Sequence, residues 1–136
     1  MMESLQRRCG ARYMSNVEIL VCGMLEKDGK VLFISRKEDG IEKFELPCII
    51  GTQRGDPVSA LAEGFRKQTD IKVEVRNIVK EGDFELQGGT EHYVIFGVES
   101  ENKDVSPCGG YTGYGWFTFD EIKKKNVTSR FRWLRE

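Results

Sequence analysis

The chain has 136 residues, of which 39% are hydrophobic and 32% are charged, and its formal net charge at pH 7 is −1. This length fits one domain with a single core, and the charge balance gives no general attraction to nucleic acid or to an anionic membrane. No apolar run approaches the ~20 residues that a membrane span needs, and no apolar signal core follows the basic N-terminus. We therefore expect a globular cytoplasmic protein with no membrane partner.

The N-terminal segment differs in pattern from the rest of the chain. Residues 1–16 show no hydrophobic periodicity, which predicts a flexible N-terminal arm. Arg7 and Arg8 in this arm could touch RNA or phosphate, although a solvated tail is the simpler interpretation. Residues 17–136 are expected to form a single domain.

The first part of this domain carries the pattern of a β-hairpin. Glu18–Leu25 is mostly apolar, Asp28-Gly29 is a tight-turn signal, and Val31–Arg36 is the returning strand. A polar loop, Lys37–Lys43, is then expected to lead to a short strand at Phe44–Leu46.

The central stretch Leu46–Ile71 combines a short apolar strand, a glycine-marked loop and one amphipathic helix. Asp56 before Pro57 predicts the helix start, because an Asp side chain accepts from free amide groups of the first turn and proline suits the first helical position. Apolar side chains then recur every three to four residues, which predicts one buried stripe. The stripe consists of Val58, Leu61, Ala62 and Phe65.

Two strand segments are predicted after the helix. Lys72–Val79 alternates in polarity with Val73 and Val75 facing inward and Ile78 as a further inward candidate. The pattern breaks near Gly82-Asp83 and resumes through Phe84–Leu86. Another turn and another strand follow these segments.

Gly88-Gly89 is predicted to turn the chain into the strand Glu91–Glu99, whose apolar middle indicates cover on both faces. His92 at its start is more often a structural or surface histidine than a catalytic base.

A glycine-rich segment, Asn102–Gly115, predicts a long mobile loop. Tyr111 and Tyr114 in this loop could close over a flat base, whereas a flexible surface turn is the simpler alternative. The segment from Val105 to Phe119 contains no carboxylate, so we expect no general base from this loop.

The C-terminal part predicts one more strand and two helices. Trp116-Phe117 is the strand, and Thr118 with Glu121 forms a capping box that opens a helix through about Lys125. Thr128–Glu136 is expected to form a short amphipathic helix that packs on the core. Its arginines could instead stack on nucleic acid, which is not the expected partner. They are Arg130, Arg132 and Arg135.

The four cysteines do not form a metal-binding pattern. They lie far apart, with only His92 as a possible imidazole partner, so no zinc site is expected. Reduced thiols are expected in a chain without a signal segment. Cys22 is predicted to lie in the core, and Cys48 is the thiol to test for reactivity. The remaining two are Cys9 and Cys108.

The central stretch resembles the Nudix box (G-x5-E-x7-R-E-U-x-E-E-x-G-U, where U is bulky and aliphatic) when the two are aligned without a gap. Phe65 and Ile71 stand at the two U positions, and Pro47 follows an aromatic-acid-Leu run similar to the family's strand before the box. The order of predicted elements from Val17 to Lys125 is also similar. The chain thus resembles the Nudix (MutT-like) hydrolase superfamily. This resemblance implies an α/β (α+β) fold, a Nudix-type α/β/α sandwich with a mixed, curved sheet.

The decisive positions of the box differ, so the resemblance is to a degenerate Nudix box. The differences are Ile49 for glycine, Gly55 for the first glutamate, Glu63 and Gly64 for Arg-Glu, Lys67 and Gln68 for the paired glutamates, and Asp70 for the last glycine.

These differences remove the acidic side chains that would bind a metal. Mg²⁺ binds carboxylate oxygens, and a spacing of i, i+3, i+4 gathers carboxylates on one helical face. Gly64, Lys67 and Gln68 supply none. We expect Lys67 to pair with Glu63 on a solvated face.

The first functional hypothesis is a Nudix-fold protein that has lost metal-dependent pyrophosphohydrolase activity. It keeps a pocket for a nucleotide-diphosphate-like ligand or a protein partner and has no assigned metal or cofactor. Lys67, assisted by Arg54, could contact phosphate in place of a metal ion. The candidate ligand-binding residues are Arg54, Lys67, Gln68, Tyr111 and Tyr114.

The second hypothesis is an active Nudix hydrolase that cleaves a nucleoside diphosphate linked to another moiety. Asp56 and Glu63 would then hold Mg²⁺ together with a strand carboxylate. The strand candidates are Glu45, Asp83, Glu85 and Glu91. A third hypothesis, an RNA-binding or protein-interaction module, relies on the basic ends of the chain. An exposed strand could also pair with a second copy in a homodimer.

Overall fold

The structure of the chain is a computed structural model that describes residues 18–52 and 55–136. The predicted arm, residues 1–16, lies outside these ranges. The elements in chain order are β1 (Glu18–Lys27), β2 (Lys30–Glu38), β3 (Ile41–Glu45), β4 (Cys48–Thr52), α1 (Pro57–Thr69), β5 (Glu74–Leu86), β6 (Gly89–Glu99), β7 (Gly113–Phe117), α2 (Phe119–Ile122) and a 3₁₀-helix (Ser129–Arg135).

The seven strands of the described ranges form one mixed sheet. Its continuous path is β3-β2-β1-β6-β5, while β4 pairs with β1 and β7 pairs with β2. β1 and β6 are parallel, and the other pairs are antiparallel. Residues 19–22 of β1 pair with β4 on one side and with β6 on the other, so this strand lies inside the sheet.

Two hydrophobic clusters lie on opposite faces of the sheet. Val21 of β1 packs with Phe65 on the face that α1 covers. The neighbouring Leu20 packs on the other face, where α2 and the 3₁₀-helix contribute Ile122 and Phe131. Successive strand residues point to opposite faces, so β1 is buried on both. This arrangement confirms the predicted α/β/α sandwich with a mixed sheet. No helix of the described ranges is long and apolar enough to cross a membrane.

β6 is also covered on both faces, as predicted. Tyr93 and Ile95 belong to the cluster beneath the C-terminal elements, whereas Phe96 and Val98 belong to the cluster beneath α1.

The first predicted hairpin is confirmed, and a second one was missed. Asp28 (φ 54°) and Gly29 (φ 80°) form the turn between β1 and β2. The predicted polar loop Lys37–Lys43 is wrong, because β2 continues to Glu38 and β3 begins at Ile41. Asp39 (φ 54°) and Gly40 (φ 78°) adopt the left-handed backbone that a two-residue hairpin turn requires. The residues that flank the Asp39-Gly40 turn are mostly polar, so the sequence there shows no apolar alternation typical of a strand.

Helix α1 begins at Pro57, as predicted. The side chain of Asp56 accepts a hydrogen bond from the Val58 amide at 3.1 Å. Leu61 and Phe65 are fully buried, but the predicted burial of Val58 is wrong. Val58 is 41% exposed because it lies in the first turn, and the buried stripe instead continues to Thr69 at the other end of the helix.

The predicted break at Gly82-Asp83 is wrong, since both residues pair with β6 inside the continuous strand β5. The irregular register lies between Val75 and Lys80 instead. A bulge adds a residue to one strand and thereby changes which side chains face inward. Ile78 is consequently 50% exposed, contrary to its predicted inward position.

The C-terminal elements pack as predicted but differ in geometry. The capping box is present, with the Glu121 amide 3.0 Å from Thr118 Oγ1 and the Thr118 amide 2.8 Å from Glu121 Oε1. Helix α2 ends at Ile122 instead of Lys125, because the amides of Lys124 and Lys125 donate to carbonyls three residues back instead of four. The terminal 3₁₀-helix buries Trp133, whose ring stacks on Tyr93 with centroids 3.8 Å apart.

Candidate ligand-binding site

Gly64 and Ile49, two positions singled out in the sequence comparison above, form a close contact between α1 and β4. Gly64 of α1 lies against Ile49 of β4, and a Cβ atom added to Gly64 would overlap Cγ2 of Ile49. The Ile49 side chain thus occupies the space into which any larger residue at position 64 would have to extend. An acidic side chain at position 64 would require the Ile49 side chain to move.

A second contact joins the same two elements. The Gln68 side chain forms two hydrogen bonds with the backbone of Cys48. Gln68 Oε1 accepts from the Cys48 amide at 3.1 Å, and Gln68 Nε2 donates to the Cys48 carbonyl at 2.7 Å. One donor and one acceptor of the amide are therefore used to hold β4 on α1.

Lys67 lies on the exposed side of α1. Its ammonium is 3.6 Å from Glu63 Oε2, and both side chains are 64% exposed. This is the predicted ion pair at i, i+4 spacing. Exposed pairs of this kind contribute only ~0.3–0.5 kcal/mol, so the pair leaves Lys67 available to an anionic ligand.

The residues at this face of α1 do not fit a Mg²⁺ ion. Mg²⁺ requires hard oxygen ligands in near-octahedral geometry. Gly64 has no side chain, and the Ile49 side chain occupies the space beside it. Lys67 carries a positive charge, and the Gln68 amide is hydrogen-bonded to β4. In residues 18–52 and 55–136, no three His, Cys, Asp or Glu side chains are grouped so as to hold a metal ion.

A buried carboxylate lies near this contact, at the end of β3. Glu45 is 5% exposed, and the Tyr111 hydroxyl donates a 2.6 Å hydrogen bond to Glu45 Oε2. Burial and this hydrogen bond to a carboxylate raise the pKa of Tyr111 well above its ordinary value. Tyr111 therefore keeps its proton and holds it against Glu45.

Arg36 completes what we call the Glu45 cluster, which consists of Arg36, Glu45 and Tyr111. One guanidinium nitrogen of Arg36 is 3.9 Å from Glu45 Oε1 and 3.1 Å from Glu38 Oε2. The guanidinium lies over the Tyr111 ring, 5.9 Å from its centroid. Its Nε atom is buried and has no hydrogen-bond partner among the described residues. The cluster thus contains a donor that a ligand or a water molecule could satisfy.

The loop between β6 and β7 places Tyr111 in this cluster by bonding to α1 and β2. The Ser106 amide donates to the Thr69 carbonyl at 2.9 Å, and the Cys108 amide donates to the Gln68 carbonyl at 3.1 Å. The Thr112 amide donates to the Ser35 carbonyl at 2.9 Å. This loop therefore crosses from the end of α1 to β2 and places its aromatic residue over Glu45.

Tyr114 lies on the same face of the sheet as Glu45. Ile34 of β2 is paired with Glu45 on one side and with Tyr114 of β7 on the other. Directly paired residues point to the same face, so the three side chains form a row. Tyr114 is 45% exposed, which leaves its ring accessible beside the Glu45 cluster.

Sequence reasoning missed Arg36, although a signal for it was present. The Asp39-Gly40 turn fixes the β2-β3 register, in which Arg36 pairs with Lys43 and Ile34 pairs with Glu45. Arg36 and Glu45 are therefore diagonal neighbours on one face. Treating residues 37–43 as a loop removed this register and with it the contact.

The carboxylates of the hydrolase hypothesis are found in separate interactions. Asp56 caps α1, and hydrogen bonds from the Ser59 hydroxyl and the Val58 amide lower the pKa of its carboxyl group. Glu63 pairs with Lys67. Arg54 lies outside the described residues, so its assignment as a ligand-binding residue stays a prediction.

The strand carboxylates of that hypothesis also have their own partners. Asp83 Oδ1 is 2.7 Å from Nδ1 of His92, and Glu85 accepts a 2.6 Å hydrogen bond from Thr90. Glu91 lies 3.5 Å from the Arg130 guanidinium.

The fold is similar to solved structures of Nudix proteins. The E. coli ORF135 protein has a TM-score of 0.74 at 17% identity, over 93% of this chain and 89% of that chain. The MutT protein from Methanosarcina mazei Go1 has a TM-score of 0.70 at 19% identity, over 85% and 88%. A Nudix hydrolase from Nitrosomonas europaea has a TM-score of 0.68 at 18% identity, over 88% and 86%. No protein-family model and no curated protein matches the sequence.

The architecture and these likenesses together define the class of fold. The chain is an α/β protein with the Nudix fold, the fold of the MutT proteins to which it is similar.

Proposed function

We propose that this chain is a Nudix-fold protein that binds a nucleoside-diphosphate-like ligand without hydrolysing it. The principal support is the contact between Ile49 and Gly64, where an apolar side chain fills the space beside the helix. Metal-dependent phosphoryl transfer requires ions that bridge phosphate oxygens and stabilise the developing charge. This helix face presents Lys67 and a Gln68 amide bound to β4 in place of acidic oxygens.

The proposed binding surface combines cations with aromatic rings. Lys67 and Arg36 supply positive charge for phosphate oxygens, and the guanidinium of Arg36 can form two parallel hydrogen bonds with one phosphate group. Tyr111 and Tyr114 supply rings for a flat base. Arg54 is an additional predicted phosphate contact. A protein partner with an acidic segment is the alternative occupant of the same surface.

Calorimetry can test ligand binding directly. The full-length protein is titrated with nucleoside diphosphates and nucleoside diphosphate sugars, with and without Mg²⁺. We expect at least one of these ligands to bind without Mg²⁺, and we expect Arg36→Gln to weaken that binding by about tenfold, as loss of a charge-assisted hydrogen bond would. Arg132→Gln, which changes an exposed arginine of the 3₁₀-helix, is the matched control and should bind normally.

Product analysis of the same mixtures tests the loss of hydrolysis. We expect the nucleotides to remain intact with Mg²⁺ or Mn²⁺ present. Metal-dependent cleavage at enzyme-like rates would overturn the proposal and favour the hydrolase alternative. In that case Asp56→Asn and Glu63→Gln would show whether the relocated carboxylates hold the metal, because their loss should abolish the cleavage.

A further inference from the structure

Two cysteines face each other across the central strand pair. Cys22 of β1 and Cys48 of β4 are directly paired in the antiparallel register. Side chains of such a pair point to the same face, and their Cα atoms are ~4.5–5.5 Å apart. A disulfide bond requires a Cα separation of ~4.4–6.8 Å. The register therefore places two reduced thiols at a separation that a disulfide can span.

The two thiols differ in their access to solvent. Cys22 is fully buried and Cys48 is half-buried. Burial raises the pKa of the Cys22 thiol, and the neighbouring Cys48 raises it further. Cys48 packs against the hydrophobic cluster that contains Cys22, so the two side chains lie close together on one face of the sheet. An oxidant from solvent would therefore reach Cys48 first, with Cys22 directly behind it.

We propose that Cys22 and Cys48 form a dithiol–disulfide couple that glutathione disulfide oxidises. The Cys48 thiolate attacks one sulfur of glutathione disulfide, forms a mixed disulfide and releases one glutathione. Cys22 then loses its proton, attacks the Cys48 sulfur and releases the second glutathione. Two protein thiols and one glutathione disulfide thus give one protein disulfide and two glutathione molecules.

Oxidation of this couple would act next to the candidate ligand-binding site. The backbone of Cys48 is held by Gln68, and its sulfur lies 3.7 Å from Glu45 Oε2. A bond to Cys22 would remove the thiol that faces Glu45 and fix β4 to β1 covalently. Since the bond also constrains the unfolded chain, we expect a higher midpoint of thermal unfolding after oxidation.

The test uses the full chain with Cys9 and Cys108 replaced by serine, so that Cys22 and Cys48 are the remaining thiols. The folded protein is incubated with glutathione disulfide, treated with an alkylating reagent and measured by mass spectrometry. We expect the loss of two hydrogen atoms, the loss of both alkylation sites and one cross-linked peptide that joins Cys22 to Cys48. Dithiothreitol should restore both sites.

Two variants separate the formation of the mixed disulfide on Cys48 from its resolution by Cys22. Cys22→Ser should accumulate a stable glutathione adduct on Cys48, and Cys48→Ser should leave the buried Cys22 unmodified in the folded protein. If Cys22→Ser does not fold, the chain that retains both thiols still shows whether a disulfide between Cys22 and Cys48 forms. A persistent glutathione adduct on Cys48 in that chain, or thiols that remain unmodified, would overturn the proposal.

Discussion

At the scale of single residues, the contact of Gly64 with Ile49 limits the side chains that position 64 can carry. Gly64 costs about 1 kcal/mol of helix propensity relative to alanine, so a glycine in the middle of α1 needs a packing reason. The overlap of an added Cβ with Ile49 Cγ2 supplies this reason.

This contact predicts that Gly64→Ala changes the free energy of unfolding in opposite directions in the parent chain and in an Ile49→Ala variant. In the parent chain, Gly64→Ala should destabilise the fold, because overpacking costs ~1–3 kcal/mol and outweighs the gain in helix propensity. In an Ile49→Ala background the Cγ2 methyl is absent, and the same substitution should stabilise the fold. Urea unfolding of the four proteins measures the coupling, and equal effects in both backgrounds would refute the contact.

Tyr111 and Tyr114 allow a matched comparison, because the same substitution to Phe should change the free energy of unfolding by different amounts. Tyr111→Phe removes the hydroxyl that donates to the buried Glu45 and should cost ~1–3 kcal/mol. Tyr114 is 45% exposed, so Tyr114→Phe should change the free energy of unfolding by less than ~0.5 kcal/mol. Chemical denaturation at neutral pH distinguishes the two. Similar values for both variants would contradict the Glu45 cluster.

The raised pKa of Tyr111 also predicts a dependence on alkaline pH. A tyrosine in the unfolded chain ionises near pH ~10, whereas Tyr111 in the folded chain stays protonated beside Glu45. Its contribution to stability is complete below pH ~10 and declines as the pH rises above that value. The difference in unfolding free energy between the parent and Tyr111→Phe should therefore shrink at high pH. A constant difference from pH ~8 to ~11 would contradict this assignment.

At the scale of elements, most boundaries could be predicted from local signals. The Asp-Gly turn, the Asp-Pro helix start and the capping box each depend on a few adjacent residues, and each was found where the sequence placed it. The bulges of β5 and the second hairpin were missed, because a bulge depends on the partner strand and the second hairpin lacks an apolar alternation. The contact of Ile49 with Gly64 could not be predicted, since it depends on how closely β4 approaches α1.

The start of α1 gives a prediction for an element. Asp56→Ala removes the acceptor for the Val58 amide and should lower the midpoint of thermal unfolding, whereas Asp56→Asn retains a capping oxygen and should lower it less. The lowered pKa of Asp56 means that its charge stabilises the fold above pH ~4 and that this contribution is lost as the pH falls. Melting curves from pH ~3 to ~7 should show that the higher midpoint of the parent relative to Asp56→Asn disappears as the pH falls.

At the scale of the whole molecule, the resemblance of the central stretch and of the order of elements to the Nudix superfamily predicted the layers and the mixed sheet. Apolar residues on both faces of β1 and β6 require cover on both sides, and α1 and the C-terminal elements supply it. The candidate ligand-binding surface was only partly predictable. Tyr111 and Glu45 are 66 positions apart in the sequence, and the hydrogen bonds that bring them together come from loop backbone groups.

The C-terminal layer predicts a large contribution to global stability. Trp133 stacks on Tyr93 and is 8% exposed, so Trp133→Ala should cost ~3–5 kcal/mol. Trp133→Phe keeps an aromatic ring and should cost less. Equilibrium unfolding monitored by circular dichroism measures both variants. A small effect of Trp133→Ala would mean that the 3₁₀-helix is dispensable for the fold.

The filled space beside Gly64 also restricts the order in which an acidic residue could be introduced at that position. Glutamate at position 64 would meet the Ile49 side chain, so this substitution taken first produces a strained protein. Trimming Ile49 first opens the space while the chain can still fold. A larger side chain is therefore accommodated at position 64 with least strain when the strand residue is changed before the helix residue.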